Sequence, residues 1–247
     1  MRVLGFLLLF LLGSSLGYGD DITIATEHFP PFQIVENGKI QGGLSVEIVN
    51  KLLEETGLQA PIVAYPWARA YKMGLTDRNV MIFSMVRSEE RENHFKWVGP
   101  ITGSKDYYFW SLKTSSGVSI NSLEDAKQFL IGVPRENYQH QFLENNGFTH
   151  LTITNDFDAT LRMLYAGRIE AILGSEISIT YRVDKMGFDA SLLKKQYGID
   201  QRWGELSIAF SKNTPDELVE RFQQALKKIK DNGEYEQILR KWVLQEH

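Results

Sequence analysis

Apolar and polar positions along this chain fall into two alternating rhythms. Short runs of β-branched and apolar residues predict strands at 22–26, 61–65, 80–83, 107–112, 130–133, 151–153, 171–173 and 206–210. Between them lie segments with apolar residues three and four apart. Val46, Ile48, Val49, Leu52 and Leu53 share one helical face that ends near Gly57. Further helices are predicted over 67–75, 138–145 and 177–186, and over a segment carrying Leu161, Met163 and Leu164 behind an Asp156 cap. Ser122 and Asp125 form a capping box that opens a helix reaching about Phe129. Thr214, Pro215, Asp216 and Glu217 open a long helix, and a last one ends at Trp242 and Val243. Pro30 and Pro31 break the first strand, and the turn Glu36 to Lys39 between apolar pairs signals a hairpin. Repeated strand–helix units predict an α/β fold with largely parallel sheets, which bind ligands at strand C-termini and helix N-termini.

The first residues break this rhythm. Arg2 precedes a nearly unbroken apolar run, 3–12, too short to span a bilayer, and Gly13 to Gly17 are small residues, Leu16 excepted. This is the pattern of a secretory signal peptide over 1–19, with cleavage after Gly17 or Gly19. The mature chain is then exported, and a periplasm is the compartment that retains a protein lacking a lipid-modified cysteine. Composition narrows the rest. Among 247 residues there is no Cys, which excludes disulfides, thiolate metal sites and cysteine nucleophiles. With 27 Lys+Arg against 31 Asp+Glu there is no cationic excess to displace counterions from nucleic acid. Histidines 28, 94, 140, 150 and 247 show no metal-binding spacing. No Gly-x-x-x-x-Gly-Lys-Ser/Thr loop occurs. The single Gly-x-Ser-x-Gly string, 13–17, lies in the signal segment without the strand–turn–helix context a nucleophile needs. No cofactor or metal is implied.

Three segments carry a resemblance. Thr26, Glu27, His28, Phe29, Pro30, Pro31 and Phe32 precede the Glu36–Lys39 turn and the run Gly42 to Val49. Ser88, Glu89, Glu90 and Arg91 are followed by Phe95, Trp97 and Pro100. Ala166, Gly167, Arg168, Ile169, Glu170 and Ala171 lead into a strand. In this order and spacing, from about residue 22 to the C-terminus, the chain resembles the bacterial extracellular solute-binding proteins of family 3, the polar-amino-acid receptors of ABC transporters. The resemblance implies a two-lobe periplasmic-binding-protein fold, with a ligand cleft between lobes joined by two crossing strands. It puts residues 20–110 plus 205–247 in the first lobe and 111–204 in the second. It also implies hinge closure on a small carboxylated solute, delivery to a membrane permease, and a monomer.

By the same resemblance Arg91 is the carboxylate-binding arginine, a role that suits a planar guanidinium fork. The residues alone allow a second reading, a solvated run from Arg87 to Glu92 pairing within itself. Ser84 and Ser88 fall near positions whose hydroxyls and amides meet the carboxylate, or they are ordinary caps. Phe29 matches an aromatic cleft wall, or belongs to the core. Glu27 is near an acidic position that can meet an amine. In the second lobe the turn of Asn137, Tyr138 and Gln139 departs from the family, with Glu136 where glycine is usual. Ser175 stands where the family offers an aspartate to the ligand's ammonium, which puts usual α-amino recognition in question. Trp67 and Arg69 open a helix, Trp67 either facing the ligand or anchoring the core. Were Arg69, Arg87 and Arg91 to converge, the cleft would suit an amine-free or doubly acidic ligand. The alternative pairs Arg69 and Arg87 with Glu27, Glu89 or Glu136. A sensor reporting ligand to a membrane receptor, or an enzyme on this fold using Glu27, Glu136 or Glu176, are the rival functions.

Overall fold

The computed structural model describes residues 22–103, 107–199 and 205–243, so the predicted signal segment lies outside the described residues. The chain folds into two α/β lobes, each built on a five-stranded sheet. In the first, strands β1 (Thr23–Thr26), β4 (Ile62–Ala64), β5 (Val80–Val86), β6 (Phe95–Gly103) and β12 (Glu205–Ser211) take the order β4-β1-β5-β12-β6. In the second, β7 (Tyr107–Leu112), β8 (Ile131–Pro134), β9 (Leu151–Thr154), β10 (Ala171–Ser175) and β11 (Leu193–Gly198) take the order β11-β7-β10-β8-β9. The predicted hairpin is β2 (Ile34–Glu36) with β3 (Lys39–Gly42).

The sheets are mixed, not largely parallel. β1 pairs with β4 and β5, and β8 with β9 and β10, all in parallel; the pairings of β12 and β7 are antiparallel. The cause is the route of the chain. It passes from one sheet to the other between β6 and β7 and back between β11 and β12, so the entering strands run against the local βαβ units. β7 straddles the expected lobe boundary at 110/111 and pairs wholly within the second sheet.

Each sheet buries both faces. Helices α1 (Leu44–Thr56), α8 (Asp216–Asp231) and α9 (Glu234–Val243) cover one face of the first, over a core of Ile24, Ile48, Leu52, Phe83, Phe210 and Phe222. α2 (Trp67–Thr76) covers the other through Trp67, Ala70 and Tyr71. The second sheet is likewise covered by α5 (Tyr138–Asn145) on one side and by α6 (Phe157–Tyr165) and α7 (Glu176–Lys185) on the other. α3 (Glu89–Glu92) and α4 (Leu123–Ala126) are single turns.

The entry to α1 fixes how the Phe29–Gln33 segment lies over the sheet. Gly43, at φ 132°, is the residue before the helix, and a Cβ there would run into the Phe32 carbonyl. Gly43→Ala should therefore destabilise the fold by roughly 2–4 kcal/mol, combining steric overlap with disallowed backbone. Urea unfolding measures it directly, and a loss under about 0.5 kcal/mol, within the range of an ordinary surface change, would contradict the packing described.

Candidate functional site

A cavity of about 570 Å³, its mouth included, lies between the lobes. Most of its lining comes from the C-terminal ends of strands and the first turns of helices. Glu27 follows β1; Ser84, Met85 and Val86 end β5; Pro134 ends β8; Ser175 ends β10. Trp67, Tyr138 and Phe157 are the opening residues of α2, α5 and α6. This is where α/β sheets leave unpaired backbone donors and room for a ligand.

Arg91 stands at the centre with only 1% of its surface exposed. Its Nε donates to Gln141 Oε1 at 3.0 Å, Nη1 to the Val86 carbonyl at 3.3 Å and Nη2 to the Glu136 carbonyl at 3.4 Å. The rings of Tyr71, Trp67 and Tyr138 surround its Cζ at 5.1, 5.5 and 5.7 Å. Burial pulls its pKa down, offset by Tyr71 and Tyr138. The solvated-run alternative therefore fails for Arg91, although its neighbours in that run do face water.

Ser84 reaches the cavity through a β-bulge. Ile82 and Met85 of β5 pair with Ala209 and Ser207 of β12, so two residues oppose one, and Ser84 takes φ 58°. The extra residue re-aims the side chain, and its hydroxyl accepts from Gln33 Nε2. Glu136 also has φ 58°, the conformation glycine adopts without cost. Its amide donates to His140 Nδ1 at 3.2 Å, and its carbonyl accepts from Trp67 Nε1 at 2.6 Å across the cleft. Trp67 thus both anchors the first lobe's core and faces the cavity.

Of the other predicted residues, Phe29, Tyr138, Gln139 and Ser175 line the cavity. Asn137 lines it too, but its side-chain oxygen is spent capping α5 by accepting from the His140 amide at 2.7 Å. Ser88 is the residue before α3 and lies outside the lining. Arg69 does not enter: α2 buries Trp67, Ala70, Tyr71 and Gly74, which turns Arg69 outward over the Tyr65 ring at 4.5 Å. Arg87 is exposed and grips Glu92, with Nε to Oε2 at 2.6 Å. The three arginines do not converge, and Arg69 and Arg87 meet Tyr65 and Glu92 rather than Glu27, Glu89 or Glu136.

One cation in the lining has no counterpart among the predicted residues. Arg182 of α7 is 4% exposed and sits on the helix's buried stripe with Ile179 and Val183. It is already committed: Nη1 binds Asp158, Nε donates to Ser178 Oγ at 3.2 Å, and Nη2 donates to the His28 carbonyl of the other lobe at 2.7 Å. A charged residue at helical spacing from Ser178 and Ile179, on the buried stripe, is the available signal. Tyr107, also not predicted, lies beside Ser175 in the β7–β10 pairing, and burial pushes its phenol pKa up.

Glu27 is the remaining charge. It is half-buried between the two lobes, and among the described residues its carboxylate has neither a hydrogen bond nor an ion pair. Burial raises its pKa to about 7, against the lowering pull of Arg182 and Arg91. Glu27 and Arg182 also border a second interlobe cavity of about 920 Å³, lined by Asp156, Asp158 and Tyr65 among others. With Arg182 neutralised by Asp158, the described residues of the cleft offer one anion-binding group, Arg91, and one carboxylate without a described partner, Glu27.

Comparison with known proteins agrees with this architecture. The sequence pattern of the bacterial extracellular solute-binding proteins, family 3, matches residues 22–245. An arginine-binding periplasmic protein of Mannheimia haemolytica is 24% identical over 227 residues, 90% of this chain and 91% of that protein. A histidine kinase sensor domain with similarity to periplasmic binding proteins superposes with TM-score 0.80 at 20% identity, over 90% of this chain and 95% of that one. An ancestral arginine-binding protein bound to arginine superposes at 0.76 and 21% identity, over 90% and 97%. At such identities the two structures speak for the fold.

Proposed function

Because the chain belongs to the bacterial extracellular solute-binding proteins of family 3, we propose that it is a periplasmic receptor for an amino acid carrying one carboxylate and at least one cationic group. The observation that carries this is the presence in one interlobe cavity of Arg91 and of Glu27, whose carboxylate has no partner among the described residues. Arg91 takes the carboxylate, with Ser84 beside it. Glu27 takes the ammonium or a cationic side chain, supplying from the first lobe the charge that Ser175 cannot supply from the second. Phe29, Trp67 and Tyr138 wall the solute. The absence of converging arginines removes the reason to favour an amine-free or doubly acidic ligand.

The protein is exported after removal of residues 1–19 and hands its solute to an ABC-type permease. It does no chemistry on the solute. A second reading, a sensor reporting to a membrane receptor, draws on the likeness to a kinase sensor domain. The two separate on whether a purified partner permease or a partner receptor is activated by the loaded protein.

The test is a thermal-shift screen of refolded mature protein against amino acids, dicarboxylates and keto acids, since a ligand selective for the folded state raises its apparent stability. Basic or neutral amino acids should raise the transition while dicarboxylates without an amine leave it unmoved. A response confined to amine-free acids would overturn the role given to Glu27. Disappearance of the solute over hours of incubation would point to an enzyme instead.

A further inference from the structure

We infer that Gln141 is a positioning residue for Arg91, through which the second lobe completes the anion site as the lobes close. The first lobe on its own gives the Arg91 guanidinium two hydrogen-bond acceptors among the described residues, the Val86 carbonyl and the Tyr71 hydroxyl. The other two, Gln141 Oε1 and the Glu136 carbonyl, belong to α5 and the turn before it, in the second lobe. A buried guanidinium is stable only when its donors are met, so half-built surroundings disfavour its buried position. Bringing α5 across supplies those acceptors together with the Tyr138 ring.

Gln141 acts on the Nε edge of the fork. Fixing Nε sets the plane of the rigid guanidinium, and beyond the bonds to Val86, Glu136 and Tyr71 the terminal nitrogens keep one further N–H for the cavity. The chemistry of the residue matters. An amide oxygen orients the cation without neutralising it, so the positive charge stays available to a carboxylate. A carboxylate at this place would hold Arg91 more strongly and compete with the ligand for it.

The surroundings of Gln141 are built to keep it there. Glu136 holds its left-handed backbone because His140 Nδ1 takes its amide hydrogen while Trp67 and Arg91 take its carbonyl. Asn145, one turn beyond Gln141, donates to Glu90 Oε1 at 3.0 Å, a second strut from α5 to the helix that carries Arg91. Neither residue touches the solute position, yet both tie α5 to α3.

The inference rests on the proposed function only for the ligand's carboxylate, and the experiment separates the two. The chain has no cysteine, so exposed Lys72 and Thr149, one on each lobe, can be changed to cysteine and spin-labelled. Interlobe distances are measured by double electron–electron resonance without added solute, then with L-arginine, L-glutamine and L-glutamate. The parent should show a short-distance population. Gln141→Leu, of similar size but without the acceptor, should deplete it about threefold or more and weaken calorimetric binding about tenfold, the order of one hydrogen bond to a charged group. Gln141→Glu should restore or enlarge the short-distance population while binding stays weak. A merely structural role would move both readouts together. No short-distance population in the parent, or an unchanged one in Gln141→Leu, overturns the inference. If no amino acid binds the parent, the proposed function fails while the distance measurement still decides the role of Gln141.

Discussion

Arg91→Ala should lose amino-acid binding by about 30-fold to several thousand-fold, the 2–5 kcal/mol range for removing one partner of a buried charged pair. The loss has two sources. The ligand's carboxylate would be desolvated in the cavity without a cation, and Gln141 and the Val86 carbonyl would lose the donor that orders the cleft, Glu136 keeping only its bond from Trp67. Arg91→Lys should recover little, because a point charge on a flexible stem cannot reach several acceptors and a carboxylate at once. Stability should move less than affinity, since Arg91 sits in surroundings that already disfavour its charge. Titration calorimetry of both variants, with thermal unfolding as the control for folding, checks this. Affinity within about fivefold of the parent, under 1 kcal/mol on the usual scale, would remove Arg91 from the site.

Glu27→Gln is expected to act in opposite directions on stability and on binding. The Glu27 pKa is raised from 4.5 to about 7, chiefly by burial. Between those values the folded chain holds a proton that the unfolded chain has lost, so stability falls as pH rises from about 4.5 to about 7 and levels above it. The shift corresponds to an upper bound on the order of 3 kcal/mol above pH 7. Glutamine removes the ionisation, so the variant should be the more stable protein at pH 8, by up to roughly 5–10 °C in Tm, and lack this fall between pH 5 and 7.

Binding goes the other way. An ammonium or guanidinium brought to Glu27 favours its ionised form, so the parent should release a proton on binding near pH 6.5. Its affinity for a basic amino acid should rise from pH 5.5 to 8. Glu27→Gln should abolish both the proton release and the rise, leaving affinity roughly tenfold to a hundredfold lower at pH 8, the scale of a charge-assisted hydrogen bond. Calorimetry in buffers of different ionisation enthalpy counts the protons. Affinity that falls with pH, or is the same in both proteins at pH 8, would mean Glu27 does not face the solute's cation.

Much of the fold was written locally. The stripe of Val46, Ile48, Val49, Leu52 and Leu53 became α1, stopped by Gly57 in the left-handed conformation, and Ser122 and Asp156 cap where their spacing said they would. Elements without a local signature were not legible. β6 is interrupted by Gly99 and Pro100, which argue against a strand, and β11 carries Lys194, Lys195 and Gln196 because an edge strand need bury only one side.

The candidate site divides the same way. Glu27, Phe29, Tyr138 and Ser175 could be picked out because the family resemblance marks their positions, and Trp67 because it opens a helix. Which charges remain available there depends on pairings between residues distant in the chain. Arg182 meets Asp158 24 positions away, Arg91 meets Gln141 50 positions away, and Arg69 turns outward because α2 buries a different face. Periodicity reports which face of an element is buried. What that face touches, and therefore the net charge of the cleft, exists only once the two lobes are brought together.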